Sequence, residues 1–470
     1  GTVIYVDWYD PELKNWAPNN VDYSNEDTAN YYPRKVHNII TDFAKSPNQY
    51  IVLVGSDKII PLFMIKSPLN DEPGPTNKNL PYNKGYIYTD LPYYTRSFTK
   101  ASEIRSEDLV YIVGRVLYDP EVERLANKPG FSVLEEAILG PVQNKVAIVR
   151  SMAKWKVQFC LGSTCILTSD IADSDAVVSS LEALGYTIPL QSNEGDIHWT
   201  TMKSVYLNYE YSVVYVAGHS QGFDIRNTDS TVGMLDGTDR EVWSKMKRLR
   251  PVMVVMGCHA GDPQFLHEMY SLLFDAYAYN VPVFIAPTSY GTYNKLDGRV
   301  HGDEELSNKL FRYIIDCPTS GNQRCTVKNN VGKALLEVKK DMLTNPWLWK
   351  NEDKKAVYQE TLYGFPWISI PDPIGVGGTE TGGGFESSIR YLGDSMVLHV
   401  IVRNYTVISM GGWDGVVVEG AEHFGEPEGR TAYTVLGDSS RSTMYFLPSI
   451  KKFGLMLINV SFMLSHKPGF

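Results

Sequence analysis

Two apolar runs about forty residues apart stand out from a polar background: Val213-Val214-Tyr215-Val216-Ala217 leading into Gly218-His219-Ser220, and Val252-Met253-Val254-Val255-Met256 leading into Gly257-Cys258-His259. A continuous Val-rich run of this length, closed by glycine, predicts a strand buried on both faces. In α/β sheets the loops beyond the carboxyl ends of such strands carry the ligands. The pattern therefore places His219 and Cys258 on one shared rim.

The rest of the chain alternates in the same manner. Strand-like Thr2–Val6, a helical pattern over Arg34–Ala44 and strand-like Tyr50–Gly55 are followed by a Pro- and Asn-rich loop and two further strand patterns, Tyr86–Asp90 and Leu109–Arg115. Val142–Trp155 reads as a helix and Cys165–Thr168 as a strand. Asp170–Leu184 reads as a helix with an acidic cap, closed by Gly185. Beyond the His219 strand come a helix over Arg240–Arg248, the Cys258 strand, a helix over Gln264–Tyr279 and a strand over Val281–Ala286. Strands alternating with helices predict an α/β fold with a mostly parallel sheet flanked by helices. After Pro371-Asp372-Pro373 the Gly-rich run Gly375–Gly384 reads as a linker, and Ser395–Val402 and Leu455–Val460 predict strands of a small C-terminal β-sandwich. The expected organisation is an N-terminal α/β subdomain over 1–140, a second over 141–373 and the sandwich over 374–470.

At 470 residues two or three domains are expected, and 43% hydrophobic against 21% charged residues supplies a large core and argues against disorder. A net charge of -10 opposes nonspecific nucleic-acid binding, which depends on clustered Lys and Arg. No stretch reaches the roughly 18 uninterrupted apolar residues of a membrane helix. The sequence opens directly on a strand-like run, so any signal peptide or pro-segment is expected outside it. Among the five cysteines, Cys160 and Cys165 flank one tight turn and Cys317 and Cys325 flank another, so each pair can close a small disulfide loop. Cys258 is left outside both. With no CxxC pair or His-Cys cluster to suggest zinc, the economical expectation is an oxidising compartment. Asn404 and Asn459 head glycosylation sequons, the latter inside a strand pattern.

A thiol attacks as thiolate, so a nucleophilic Cys258 needs a base or cation nearby and a pair of donors for the oxyanion that forms. His219 on the neighbouring strand end supplies the base, and backbone N–H groups of the glycine-flanked turns supply the donors. The bland alternative is a buried apolar cysteine beside a satisfied surface histidine, and the pattern alone leaves both open.

The two blocks resemble the paired His and Cys motifs of caspase-like cysteine peptidases. More narrowly, Cys258-His259-Ala260-Gly261-Asp262, then Val281–Ser289, then Gly302-Asp303-Glu304-Glu305-Leu306 are similar to the gingipain-like family. The early blocks Leu53–Pro61, Thr89–Tyr94 and Ile112–Arg115 agree in order, and Tyr363-Gly364-Phe365-Pro366 resembles the segment ahead of that family's immunoglobulin-like domain. The resemblance covers about residues 45–370. It implies a caspase-like sheet in two subdomains and a secreted or cell-surface endopeptidase. Cys258 would be the nucleophile, His219 the acid and base, and the backbone N–H groups of Cys258 and Ser220 the oxyanion hole, although the family usually has glycine at the latter position. It further implies an acidic residue that orients the histidine, for which Asp170 is chosen, and one that binds a basic P1 side chain, which Asp170 could match instead; Asp173 and Asp175 compete for whichever role Asp170 leaves and are the candidates given for the P1 site. Thr288, Ser289, Tyr290 and Tyr293 would line that P1 pocket, and His259, His267 and His301 are read as structural. No cofactor is needed for this chemistry, no catalytic metal is assigned, and structural calcium is an expectation of the family. Protein or peptide substrates are the expected partners. The alternatives are a legumain- or clostripain-type peptidase with another P1 preference, and an inactive surface or adhesion protein on the same fold.

Overall fold

Both Val-rich runs are strands, and they lie side by side in a seven-stranded sheet. The computed structural model describes residues 3–15, 26–69, 85–100, 103–125, 140–152, 157–161, 164–168, 174–190, 195–227, 229–296, 299–315, 330–344, 351–371, 373, 385–392, 395–402, 406–410, 413–418, 442–444 and 456–462; side chains at 15, 121–123, 157–168, 293–300, 315 and beyond 384 are outside the description. In chain order the strands of residues 1–374 are β1 (Tyr50–Val54), β2 (Phe63–Lys66), β3 (Tyr86–Thr89), β4 (Ile112–Val116), β5 (Val146–Ser151), β6 (Val157–Leu161), β7 (Thr164–Thr168), β8 (Tyr211–Ala217), β9 (His219–Ser220), β10 (Asp224–Arg226), β11 (Val232–Asp236), β12 (Val252–Met256), β13 (Val283–Pro287), β14 (Tyr293–Leu296), β15 (Arg299–Gly302) and β16 (Glu360–Gly364). The helices are α1 (Val6–Tyr9), α2 (Glu26–Ala29), α3 (Tyr31–Phe43), α4 (Pro120–Leu125), α5 (Asp175–Ala183), α6 (Trp199–Asn208), α7 (Arg240–Leu249), α8 (Leu272–Ala278), α9 (Asp303–Ile315), α10 (Val331–Thr344) and α11 (Asn351–Gln359).

The main sheet runs β1-β4-β16-β13-β12-β8-β5. Its neighbours are parallel throughout except at β13 and β16, so the sheet consists of two parallel blocks of opposite direction joined at that seam. Every residue of β8, β12 and β13 is buried, as the unbroken apolar runs require of strands covered on both faces. Among α5 to α11 the helices fall into two packed groups. α5 packs on α9, and α9 on α10 and α11, whereas α6 packs on α7, and Trp243 of α7 meets Tyr279, the residue that follows α8. Tyr215 of β8 turns its ring onto Phe311 of α9, so the first group covers that face of the sheet.

Several expectations are corrected. The apolar Val3–Val6 stretch is no strand: Val3 is 68% exposed and α1 begins at Val6, because no sheet edge receives it. Val142–Trp155 is not a helix. Its centre is β5, whose Ala147, Ile148 and Val149 are buried against β8 and the helices, a burial on both sides that a helical period mimics over a short run. Gln264–Tyr279 is a short 3-10 turn over Pro263–His267 and a separate helix, α8. The break comes at Tyr270, whose φ is +76°, and at Ser271, whose hydroxyl accepts from Phe274 N. The helix expected from Asp170 starts at Asp175 with Ser174 before it, and Cys165–Thr168 falls in β7, which pairs with β6 as an isolated hairpin. In that hairpin Cys160 stands opposite Cys165, their side chains outside the description, as are Cys317 and Cys325 altogether.

Residues Gly375–Phe470 form a second unit, separate from Gly1–Ile374. Its described strands are β17 (Phe385–Leu392), β18 (Ser395–Val402), β19 (Thr406–Met410), β20 (Trp413–Val418), β21 (Ser442–Met444) and β22 (Met456–Phe462). They make two three-stranded antiparallel sheets, β17-β18-β22 and β19-β20-β21. Asn459 lies within β22 opposite His399, and Asn404 lies outside the described residues.

Candidate active site

Register fixes the rim. Ala217 at the end of β8 pairs with Met256 at the end of β12 and with Ser151 at the end of β5, and Gly218 N donates to Met256 O at 3.0 Å. His219 and Cys258 each stand two residues beyond that level, on adjacent strands.

The two glycines that closed the apolar runs are demanded by close approach. A Cβ at Gly218 would come within 2.4 Å of Met234 and 2.5 Å of the Arg226 carbonyl, because β9 turns back at once to pair with β10. A Cβ at Gly257 would lie 2.7 Å from Cβ of Ser220, so the loop carrying the thiol and the loop carrying the imidazole touch. Ser220 fits its place in this turn. It pairs with Ile225 in the ladder, is buried, and its hydroxyl accepts from Gly222 N at 3.0 Å, which fixes the turn after His219.

Cys258 is a half-buried thiol, and the His219 side chain is exposed with no hydrogen bond to a described residue. Hydrogen bonds of catalytic groups often close only when substrate is bound.

Beyond Cys258 the chain is locked onto the end of β13. His259 N donates to Ser289 O at 2.8 Å and Gly261 N to Pro287 O at 2.9 Å, while Tyr363 Oη of β16 donates to Gly261 O. His259 adopts φ +59°, a left-handed conformation unusual for a residue with a side chain. Its Nδ1 lies 2.8 Å from Asp262 Oδ2, and since a carboxylate only accepts, Nδ1 carries the proton. Asp262 is buried and accepts in addition from Gln264 N at 3.0 Å and Nε2 at 2.8 Å, which caps the Pro263–His267 turn. The His259 ring sits edge-on to Tyr290 at 4.5 Å and to Phe265 at 6.2 Å.

Of the other residues expected at the site, Asp170 and Asp173 lie outside the described residues. Asp175 is exposed at the first turn of α5, and Ser174 just before it bonds Ser151 Oγ at 3.0 Å, which anchors that helix start at the β5 end of the rim. Thr288 is buried with its hydroxyl donated to Tyr88 O at 2.6 Å; Ser289 is buried beside it, and Tyr290 is exposed. Tyr293 opens β14, its side chain outside the description. Among the described residues no three His, Cys, Asp or Glu side chains converge as metal ligands. The sequence reading missed the anchoring of His259. A signal was present, since Asp262-Pro263 is the signature of a capped helical turn.

No known family profile matches the sequence, and no curated protein matches it either. Solved structures do. The complex of the pro- and mature domains of RgpB of Porphyromonas gingivalis matches with a TM-score of 0.51 at 11% identity, covering 91% of this chain and 89% of that one. The Arg-specific cysteine proteinase gingipain R (RgpB) gives a TM-score of 0.49 at 11% identity, over 82% of this chain and 84% of that one. The protein thus has an α/β fold of the caspase-like cysteine peptidase kind. Within that class, the fold it shares is that of RgpB.

Proposed function

We propose that the protein is a cysteine endopeptidase in which Cys258 and His219 form the catalytic dyad. The observation that carries this reading is the contact of the two rim loops on adjacent parallel strands, Gly257 against Ser220, which places a half-buried thiol and an exposed imidazole one residue to either side. Cys258 Sγ attacks the scissile carbonyl carbon, and the carbonyl π pair becomes the oxyanion, held by the backbone N–H groups of Cys258 and Ser220. Collapse forms a thioester and expels the amine, which takes its proton from the His219 imidazolium. His219 then removes a proton from water, which attacks the thioester, and the acid product leaves as the thiolate is restored.

Substrates are proteins or peptides, and a basic P1 residue is the preference proposed, on the resemblance to gingipains and on the acidic residues Asp170, Asp173 and Asp175 that lead into α5 in sequence. Asp170 is assigned to orient His219, and Asp173 and Asp175 to meet the basic side chain, with Thr288, Ser289 and Tyr293 beside them. Each charge-assisted bond to an Arg or Lys contributes ~1.5-3 kcal/mol, enough to set specificity. An extracellular or cell-surface location accords with the same resemblance.

Incubation with an acyloxymethyl ketone carrying Arg at P1 is expected to leave a covalent adduct on Cys258, and Cys258→Ala to abolish both the adduct and cleavage. Cleavage by a folded Cys258→Ala protein would sink the dyad. Absence of any adduct on the wild type would favour an inactive surface protein on this fold.

A further inference from the structure

The row of rings beside the thiol has a use that the dyad does not exhaust. Phe223, in the loop after His219, meets Phe265 at 5.2 Å; Phe265 meets His259, and His259 meets Tyr290, in the loop after Ser289. All three contacts join the loops that surround Cys258. The row is held in place from below. A Cβ at Gly222 would fall 2.6 Å from Phe265 and 3.2 Å from the His259 carbonyl, so backbone is pressed directly against it.

His259 is the least expected member. It spends left-handed strain, of order 1 kcal/mol, next to the nucleophile, and a buried carboxylate is used to orient its ring. Its Nδ1 is satisfied, yet Nε2 makes no hydrogen bond among the described residues, and the side chain remains 19% exposed. The ring lies between two aromatic neighbours, Phe265 and Tyr290.

The row also lies on a definite side. Phe265 belongs to the Pro263–His267 turn, which packs with α8 and α4, while the helix start ahead of the proposed P1 pocket belongs to α5, packed on α9 in the other group. An extended substrate points successive side chains to opposite sides. With P1 directed towards α5, its neighbours in sequence are directed towards the rings. His219 delivers its proton to the leaving amine, and the row starts in the His219 loop, so the neighbour it meets is the residue on the leaving side.

We infer that Phe223, Phe265, His259 and Tyr290 form a subsite for an aromatic P1′ side chain, with His259 Nε2 as its polar contact. This rests on the peptidase reading above, and it moves Tyr290 from the P1 pocket to the leaving-group side. Aromatic rings seat edge-to-face against such a row, and the geometry selects against glycine or charge at that position.

The test uses the full chain and internally quenched peptides identical except at P1′. Wild type is expected to cleave the Phe-P1′ peptide at least about tenfold better in kcat/KM than the Gly-P1′ peptide, the scale on which apolar pockets discriminate. Two variants are expected to shrink that ratio below about twofold. One is His259→Asn, chosen because Asn tolerates left-handed backbone; the other is Tyr290→Ala, at an exposed position that leaves the core intact. A wild-type ratio near one, or a ratio unchanged in both folded variants, overturns the subsite. If the wild type cleaves neither peptide and takes no adduct from the P1-Arg ketone, the peptidase reading itself falls; an adduct without P1′ selectivity sinks only the subsite.

Discussion

Single residues in this protein are set against their ordinary chemistry wherever burial forces the matter. Asp275 of α8 is fully buried beside Arg240, which lies 2.5 Å from its Oδ1, while Oδ2 has no hydrogen-bond partner among the described residues; desolvation pushes the carboxyl up to about 7 despite the guanidinium. Asp303, at the start of α9, is pushed up to about 6 for the same reason. A carboxyl whose folded value lies above its unfolded one holds its proton more tightly when folded. Its contribution to stability is therefore complete below about pH 4 and is lost as pH rises towards 7. Lys339 works in the opposite sense over another window. Burial pushes it down to about 7, so the folded state releases a proton the unfolded state keeps, and stability from this group rises between pH 7 and its ordinary range. Asp275→Asn is expected to flatten the fall in unfolding free energy between pH 5 and 7, by about 1 kcal/mol per pH unit at most. Urea melts across that range read it directly, and a slope identical to wild type would exclude Asp275 as its source.

At the level of elements, the strands that carry His219 and Cys258, the proposed dyad, were legible because their burial on both faces writes itself as an unbroken apolar run. Two similar signals misled. β5 has the same burial but is framed by Arg150 and polar neighbours, so its short run also satisfies a helical period, and only its pairing with β8 settles which it is. The Gln264–Tyr279 pattern is continuous in hydrophobicity and broken in backbone, at a positive φ that no periodicity records. The site itself was half visible. Gly257 and Gly218 marked the close approach of two loops, but the hold of β16 on the thiol loop joins residues 102 apart in sequence and leaves no local trace. Burial pushes the Tyr363 phenol well up, so it acts there only as a donor. Tyr363→Phe leaves the buried Gly261 carbonyl without it. The expected cost is about 1–2 kcal/mol in a denaturant melt, with slower alkylation of Cys258 by iodoacetamide as the loop loosens. A variant with wild-type stability and thiol reactivity would show that the backbone bonds to β13 suffice.

For the molecule as a whole, the order of blocks along the chain was readable while their assembly was not. The opposite directions of the two parallel blocks, and the strand that unites them, depend on pairings between residues far apart in sequence, Val283 with Gly364 and Tyr363 with Arg115; composition and periodicity carry no information on such partners. In the second unit Ser395–Val402 and Leu455–Val460 are legible as strands and correspond to β18 and β22, whose pairing joins Val402 to Met456, whereas β17, two residues ahead of β18, left no such signal.

The seam at β16 has a consequence for how the protein is made. Its position between β4 and β13 means that the chain must be synthesised to Gly364 before the two blocks have anything to share, although every other strand of the sheet has by then emerged. Until that point each block presents an unpaired edge, and long-range closure of this kind is slow and exposed to aggregation. A chain ending at 374 is expected to unfold in one cooperative transition, whereas one ending at 359 is expected to remain aggregation-prone and to lose that transition. Equal cooperativity in the two would mean that the blocks fold as independent bodies. On this reading the thiol and imidazole can meet early on the nascent chain, but the β16 hold on the thiol loop comes last, and translation itself delays the moment at which the site is complete.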